Sequence, residues 1–356
     1  MAGEKQPDWQ GLLKWSVAHT DGTNSSARNM SEEDRKFFYE AMQAQTIDTI
    51  QRMKEITLVM NMPQDVLDGQ GITNGEIEEM LEELQEHVES IDMANDLHAI
   101  GGLIPLLNYL KHSDASVRAR AAEVVSTVVQ NNAKSQKQVM EVKGLEILLE
   151  SFTSDADMNV RAKALGALSS LISNNKEAVT SFRLSNCYAG LRDALGSGHF
   201  RLQRKALQLI MNLLPQYPAD GKVMAGLGLP RVITTLISSE DGGIRQAALQ
   251  TLVDIATTGG QADVAECNSQ LKQILSTRVE EIKQLGAEDL AAAKEERQYL
   301  DRLWQLCFHE ASPLRENGLV VSEADENENA EVEKAPASES TAAPEENKPP
   351  LLLLGP

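Results

Sequence analysis

One apolar pattern recurs four times in this chain every 42–43 residues, and it limits the possible folds more than any other feature. The copies read SVRARAAEVVSTVVQNN from Ser116, NVRAKALGALSSLISNN from Asn159, RLQRKALQLIMNLLPQY from Arg201 and GIRQAALQTLVDIATTG from Gly243. Apolar or small residues fall at Val117, Ala121, Ala122, Val125 and Val128 in the first copy. Their counterparts are Val160, Ala164, Leu165, Leu168 and Leu171, then Leu202, Ala206, Leu207, Ile210 and Leu213, then Ile244, Ala248, Leu249, Leu252 and Ile255. Steps of four, one, three and three residues keep such side chains on one face of an α-helix. A lone helix cannot hide that face, whereas stacked copies can. The expected fold is all-α: an armadillo-like right-handed helical solenoid of about four repeats with helical N- and C-terminal caps.

The rest of the chain divides around this array. Residues 1–30 read as a flexible N-terminal segment and 31–91 as a helical cap; the repeats occupy 92–260 and a second helical cap 261–322. Within the first cap, Ser31 followed by Glu32, Glu33 and Asp34 signals a helix over 31–62. Pro63 and the glycines at 69, 71 and 75 mark a loop, and an acidic helix from about Glu76 to Ser90 buries Ile77, Met80, Leu81, Leu84 and Val88. Each full repeat has a short helix, a glycine-led second helix such as GLEILLESF, and the long third helix aligned above. In the second cap, Leu300, Leu303, Trp304 and Cys307 give the last helix a packing face. From 323 to 356 the chain is acids, alanine, serine and proline, too poor in apolar groups to offset ordering entropy, so an acidic disordered tail is expected.

Composition removes several classes of function. The net charge of −20 excludes a sequence-independent nucleic-acid binder, which needs surplus lysine and arginine. Cys187, Cys267 and Cys307 are far apart and form no CxxC pair, so neither a disulfide framework nor a zinc site is expected. No signal peptide or membrane-spanning run is present, and the expected location is cytoplasmic, with a nuclear pool allowed. The histidines at 19, 87, 98, 112, 199 and 309 are scattered, and no GxxxxGK[ST], GxSxG or HExxH motif occurs. GLGLP at 226–230 opens a second helix and reads as a turn. Neither an enzyme nor a cofactor is expected.

A solenoid offers a long surface, and in armadillo packing its inner side is lined by the third helices. Two positions there, two and six residues after the aligned alanine, hold Glu123 and Thr127, Gly166 and Ser170, Gln208 and Asn212, Gln250 and Asp254. Nuclear import adaptors repeat tryptophan and asparagine at these places; here Asn212 stands alone, which excludes an extended-peptide ladder. The basic residues form two rows. Arg118, Arg161 and Arg245 follow Asp114, Asp157 and Asp241 by four residues, the spacing of a pair one helical turn apart. Arg120, Lys163 and Lys205, with Arg204 beside it, have no such partner and stand near a helix N-terminus, where the dipole disfavours cations. That second row reads either as solvated side chains or as a basic stripe for an acidic globular partner. Between Lys54 and Lys111 there is no lysine or arginine, which makes a solvated acidic face, a repellent for wrong partners, or a contact for a basic patch. Trp9, Leu12, Leu13, Trp15 and Val17 form an apolar cluster in an otherwise polar segment. They either dock back on the solenoid or are held out for a partner groove.

Three segments carry a family resemblance: LLKWSVAHTDG from Leu12, LEELQEHVESIDMANDLHAIGGL from Leu81, and SVRARAAEVVSTVVQNNAKSQ from Ser116. Through them the chain, to about residue 310, resembles the armadillo-type nucleotide exchange factors of the Hsp70 chaperones (the Hsp70-binding protein, or Fes, family), and it reads as a plant member. The resemblance implies a monomeric co-chaperone that embraces the Hsp70 nucleotide-binding domain and promotes ADP release. It implies chaperone contacts at Ala94 in IDMANDL, where a small side chain permits close approach, and at Lys205 in RLQRKAL; Asn95 and the wall residues Arg120, Lys163, Arg204, Gln208 and Asn212 are the further candidate contacts. It also implies that Trp9, Leu12, Leu13, Trp15 and Val17 imitate a client in the chaperone's peptide site. The terminal PPLLLLGP lies outside the family pattern. A generic armadillo scaffold for another partner is the alternative.

Overall fold

The computed structural model describes residues 49–320 except Cys267, together with Glu32 and Lys36; for 262, 265, 268 and 269 it describes the backbone alone. The N-terminal apolar cluster and the acidic tail therefore lie outside the described residues. Those that are described form helices joined by turns and short loops, with no strand.

From residue 49 the described chain is continuous helix, α1, to residue 60, burying Met53, Ile56 and Met60, and it continues with α2 (Gln64–Gly69) and α3 (Asn74–Val88). The expected loop at 63–75 is thus partly helix. Pro63 takes the cap position, where its missing N–H costs nothing, Asp65 supplies a first-turn acid, and Leu67 is buried. Helix α3 starts two residues earlier than the glycine at 75 suggested. Thr73 caps it in a reciprocal box: its hydroxyl accepts from the Glu76 amide while Glu76 accepts from the Thr73 amide at 2.8 Å. Met80 is only half-buried, whereas Ile77, Leu81, Leu84 and Val88 are covered as expected.

Four three-helix units follow. The first is α4 (Ile91–Ala99), α5 (Leu103–Asn108, extended by a 3₁₀ turn at Tyr109–Lys111) and α6 (Ala115–Val129). The second is α7 (Ala133–Glu141), α8 (Gly144–Ser154) and α9 (Met158–Ile172). Then come α10 (Lys176–Leu184), α11 (Cys187–Leu195) and α12 (Phe200–Leu213). The fourth is α13 (Asp220–Gly226), α14 (Leu229–Leu236) and α15 (Gly242–Ile255).

Local chemistry explains the repetition. The first and second helices of each unit are separated by a left-handed residue: Gly101, Lys143, Asn186 and Gly228, the last confirming the GLGLP turn. The Asn-Asn pairs ending the first two copies divide the labour at the next junction. Asn131 and Asn174 adopt positive φ, and Asn132 and Asn175 cap the following helix by accepting from the amides of Ser135 and Ala178. The aligned apolar residues of all four third helices are buried, each large one contributing roughly 1.5–3 kcal/mol. Buried Gln136 donates to the carbonyls of Val129, Ser170 and Ser173, satisfying the C-terminal ends of two adjacent third helices at once.

The third helices stack directly: α6 on α9, α9 on α12, α12 on α15. The ladder is longer than the repeats alone, because α3 packs on α6 and a C-terminal helix, α19 (Lys294–Phe308), packs on α15. Both caps therefore supply a rung of the same kind, which makes six. Between α15 and α19 the chain forms a π-turn at Ala256–Gly260, where Thr258 and Gly259 (φ 104°) leave helical geometry, then α16 (Gln261–Glu266), α17 (Asn268–Lys283) and α18 (Ala287–Ala292). The C-terminal region thus has four helices, α16 to α19, and a final short α20 (Pro313–Glu316). Leu300, Leu303, Trp304 and Cys307 are all buried, as their spacing required.

The first basic row holds neighbouring units together, but not as expected. Asp114, Asp157 and Asp241 do cap their helices, accepting from amides two or three residues on. The arginines one turn later turn away from them. Arg118 donates to the carbonyls of His112 and Ser113, Arg161 to that of Phe152, and Arg245 to those of Ser239 and Glu240; Gln203 does the same for Leu195 in the third copy. These groups occupy orphan carbonyls at the end of the second helix. Two of the guanidinium groups also reach the next unit: Arg118 pairs with Asp155 at 2.7 Å and Arg245 with Glu296 at 3.1 Å. Arg183 pairs with Asp220 in the same sense at 2.6 Å, stacked over the Tyr217 ring.

Candidate functional site

The solvent-facing side of the third-helix ladder gathers most of the residues singled out in the sequence. Gln208 and Asn212 are exposed on α12, joined by a 3.2 Å hydrogen bond from the Gln208 amide to the Asn212 Oδ1. Asn212 and its neighbours therefore offer polar side chains with little local strain. Ser126 and Ser170 meet across α6 and α9 at 3.0 Å, and Gln85 donates to Thr127 across α3 and α6 at 3.2 Å. Short polar groups thus tie rung to rung on this wall while leaving it open.

The second basic row runs along the same wall, and three of its four members are ion-paired, contrary to the sequence reading. Arg120 lies 3.4 Å from Glu123, 3.6 Å from Glu82 and 4.0 Å from Glu78, so the acidic stretch of α3 meets it across the rungs. Lys163 pairs with Glu123, and Arg204 with Asp241. The Glu123 and Asp241 carboxylates are about 40 residues away in sequence, beyond any local spacing rule. Lys205 differs. It makes no ion pair among the described residues, and its amine stands over Gly166: a Cβ built there would lie 3.0 Å from Nζ. Although Lys205 is exposed, protein surrounds the amine at close range. That partial burial, reinforced by the Lys163 cation, holds its pKa below the ordinary lysine value despite Glu123.

Lys163, Gly166, Phe200, Arg201, Arg204 and Lys205 line a cavity of about 470 Å³ between α6, α9 and α12. Phe200 and Arg201 were not anticipated as site residues, and Gly166 only as a groove-lining position. Phe200 is 52% exposed at the first position of α12, outside the buried stripe, with the Arg201 guanidinium 5.8 Å from its ring. An exposed aromatic at an off-stripe position, beside two arginines, was the signal available in RLQRKAL and its preceding residue. The cavity brings together an apolar ring, one unpaired amine and a surplus of positive charge in an acidic protein. Among the described residues there is no cluster of three or more metal-ligating side chains, and no helix is long and apolar enough to cross a membrane.

Ala94 and Asn95 sit apart from this cavity, on α4. Ala94 is 2% exposed, with its methyl group packed in the core, so a contact at this position would be made by the surface around it. Asn95 is half-buried and accepts from Ser135 Oγ at 3.2 Å, an internal tie between α4 and α7. Trp9, Leu12, Leu13, Trp15 and Val17 lie outside the described residues.

Two family models match adjoining parts of the chain: "Nucleotide exchange factor Fes1" over residues 9–97 and "SIL1/FES1/HPBP1 C-terminal domain" over 93–193. Together they span residues 9–193, more than half of the 356. The chain belongs to the SIL1/FES1/HPBP1 family. Among its relatives, Hsp70-binding protein 1 of Homo sapiens is 28% identical over 310 residues, covering 84% of this chain and 85% of that protein. Hsp70 nucleotide exchange factor FES1 of Gibberella zeae is 30% identical over 149 residues, covering 40% of this chain and 66% of that protein. Among solved structures, a designed armadillo repeat protein superposes with a TM-score of 0.54 at 15% identity, over 72% of this chain and 99% of its own. The armadillo solenoid read from the repeats is therefore the fold of this family member. The matched region takes in rungs α3, α6 and α9; Arg204, Lys205, Gln208 and Asn212 lie beyond residue 193.

Proposed function

We propose that this protein is a non-catalytic co-chaperone that binds the nucleotide-binding domain of an Hsp70 through its third-helix wall and accelerates ADP release. The observation that carries the reading is the α12 face. It offers an unpaired amine seated over a glycine, an exposed phenylalanine and two exposed amides, on the wall of a solenoid from a family described as nucleotide exchange factors. Relatives named for Hsp70 binding, aligned over most of the chain, support the same partner. The chemistry needed is selective grip, not bond breaking. A wall that holds the nucleotide-free, open domain more tightly than the ADP-bound one shifts the equilibrium toward release, and only that difference matters. A coupling of about 1–3 kcal/mol corresponds to roughly 5–150-fold weaker ADP binding.

Gln208 and Asn212 suit this task as adaptable hydrogen-bonding groups, and Lys205 as a point charge for a carboxylate. The apolar cluster Trp9, Leu12, Leu13, Trp15 and Val17 would act separately, entering the chaperone's peptide site to expel the client. The test is stopped-flow release of a labelled ADP from Hsp70 with and without this protein. Accelerated release, lost in Lys205→Glu with the fold retained, is the expected result. Release unchanged by the full chain would favour a scaffold for some other partner. Deleting residues 1–30 should spare ADP release and slow client displacement; loss of both together would sink the division of labour.

A further inference from the structure

Cations are concentrated on rungs α9 and α12 of the wall, and the chain leaves the described structure at α19, two rungs beyond α12. Four of them line the α6–α9–α12 cavity (Lys163, Arg201, Arg204 and Lys205) against the single lining carboxylate of Glu123. Lys163 and Arg204 already have partners in Glu123 and Asp241, which leaves Lys205 and Arg201 as the charges without an acid. Further along, Arg302 of α19 lies close enough to Asp254 of α15 to oppose the rise in its pKa, and Asp254 is itself a wall position. Val320, the last described residue, lines a cavity with Arg302, Tyr299 and Gln305. The chain therefore exits on the wall side of the last rung.

From α19 to α12 is two rung spacings, about 20 Å at the usual interaxial distance. Roughly six extended residues span that gap. The eleven residues 323–333 that follow the exit carry Glu323, Asp325, Glu326, Glu328, Glu331 and Glu333, and no lysine or arginine. The intervening wall positions Gln246, Gln250, Gln208 and Asn212 are neutral; the acids on that path are Asp254, beside Arg302, and Glu295, which accepts from Gln246. We infer that residues 323–333 dock along the α19–α15–α12 wall and shield Lys205, so that the acidic segment occupies the cationic cavity until a partner displaces it. Tethering places the carboxylates at an effective concentration in the millimolar range, enough for a few exposed ion pairs to hold a weak, salt-sensitive contact.

The docking is independent of any chaperone; only its regulatory meaning rests on the exchange-factor reading. Zero-length carbodiimide cross-linking of the full chain at low salt, with mixed isotope labels and mapping by mass spectrometry, should join Lys205 or Lys163 to acids of 323–333 within one molecule. High salt should abolish the links. In the full chain carrying Glu323→Gln, Asp325→Asn, Glu326→Gln, Glu328→Gln, Glu331→Gln and Glu333→Gln, Lys205 should be acetylated about fivefold faster, because a neighbouring anion raises an amine's pKa and covers it. Links from Lys205 to Glu4 or Asp8, links between molecules, or an unchanged acetylation rate would each overturn the proposal. With docking established, the neutralised variant should bind Hsp70 about fivefold more tightly; binding by neither variant would count against the exchange-factor reading alone.

Discussion

Gly166 separates stability from binding in a way that one substitution can test. It lies inside α9, where glycine costs about 1 kcal/mol relative to alanine. A Cβ there meets Lys205 Nζ at 3.0 Å and Cε at 3.7 Å, and nothing else within 4 Å. The obstructing atom is the free end of a flexible, unpaired side chain, so it swings aside at little cost. Gly166→Ala should therefore stabilise the fold by about 0.5–1 kcal/mol, raising Tm by roughly 2 °C for a domain of this size. The displaced amine, no longer seated in the cavity, should weaken Hsp70 binding by up to about fivefold, the scale of one exposed ion pair. Gly190 provides the contrast. A Cβ there would lie 3.0 Å from both Phe152 Cε1 and Thr153 Cγ2, and Phe152 is fully buried, so Gly190→Ala should cost about 1–3 kcal/mol. Calorimetry and labelled-ADP release read the two properties independently. Destabilisation by Gly166→Ala, or unchanged binding while Lys205→Ala abolishes it, would refute the reasoning.

Three further outcomes follow from burial and charge. Ala94→Arg forces a long cation into the core beneath α4 and should cost at least about 4 kcal/mol, visible as a lowered circular-dichroism melt; a wild-type melting temperature would show the site to be open after all. Arg118→Met strands Asp155, whose side chain is 8% exposed, and should cost about 3 kcal/mol by denaturant titration, whereas the double change with Asp155→Leu should recover most of the loss. Acid should weaken the fold as paired carboxylates protonate. For Asp155 and Asp220, burial alone would raise the pKa, but Arg118 and Arg183 outweigh it; for Asp241 the Ile244 amide and Arg204 do so, and all three lie below their ordinary 3.8. Their contribution is complete above about pH 4 and fades as pH falls through the lowered values. Asp254 acts oppositely: burial raises its pKa, so Asp254→Asn should stabilise at pH 7 and be neutral at pH 2, and an equal effect at both would discount it.

The solenoid was legible in the sequence because its determinants are local: apolar steps along a third helix, an aspartate cap, an asparagine pair at a junction. The ends were less so. Helix α2 is six residues long with one buried leucine, too short for any period to emerge, and α3 and α19 lack the repeat's alanines although they stack as rungs. At the site, the exposure of Gln208 and Asn212 follows from helical phase alone. Most partners of Arg120, Lys163 and Arg204 do not, since Glu78 and Glu82, Glu123 and Asp241 reach them from a neighbouring rung or unit; Glu123 is within helical reach of Arg120 alone. Ala94 is a different case: a small residue in a matching motif reads as room for close approach, and only packing reveals that its own methyl group is buried.

The straps Arg118–Asp155, Arg183–Asp220 and Arg245–Glu296 share one mechanical property: each joins a unit to the next and never reaches further. Sliding of one unit past its neighbour is resisted at these three junctions, while bending spread along the whole stack strains each strap only slightly. The molecule is thus built like a leaf spring, stiff in shear and compliant in curvature, and a globular body pressed against its wall would be met by a surface that adjusts its arc without unlocking any single joint.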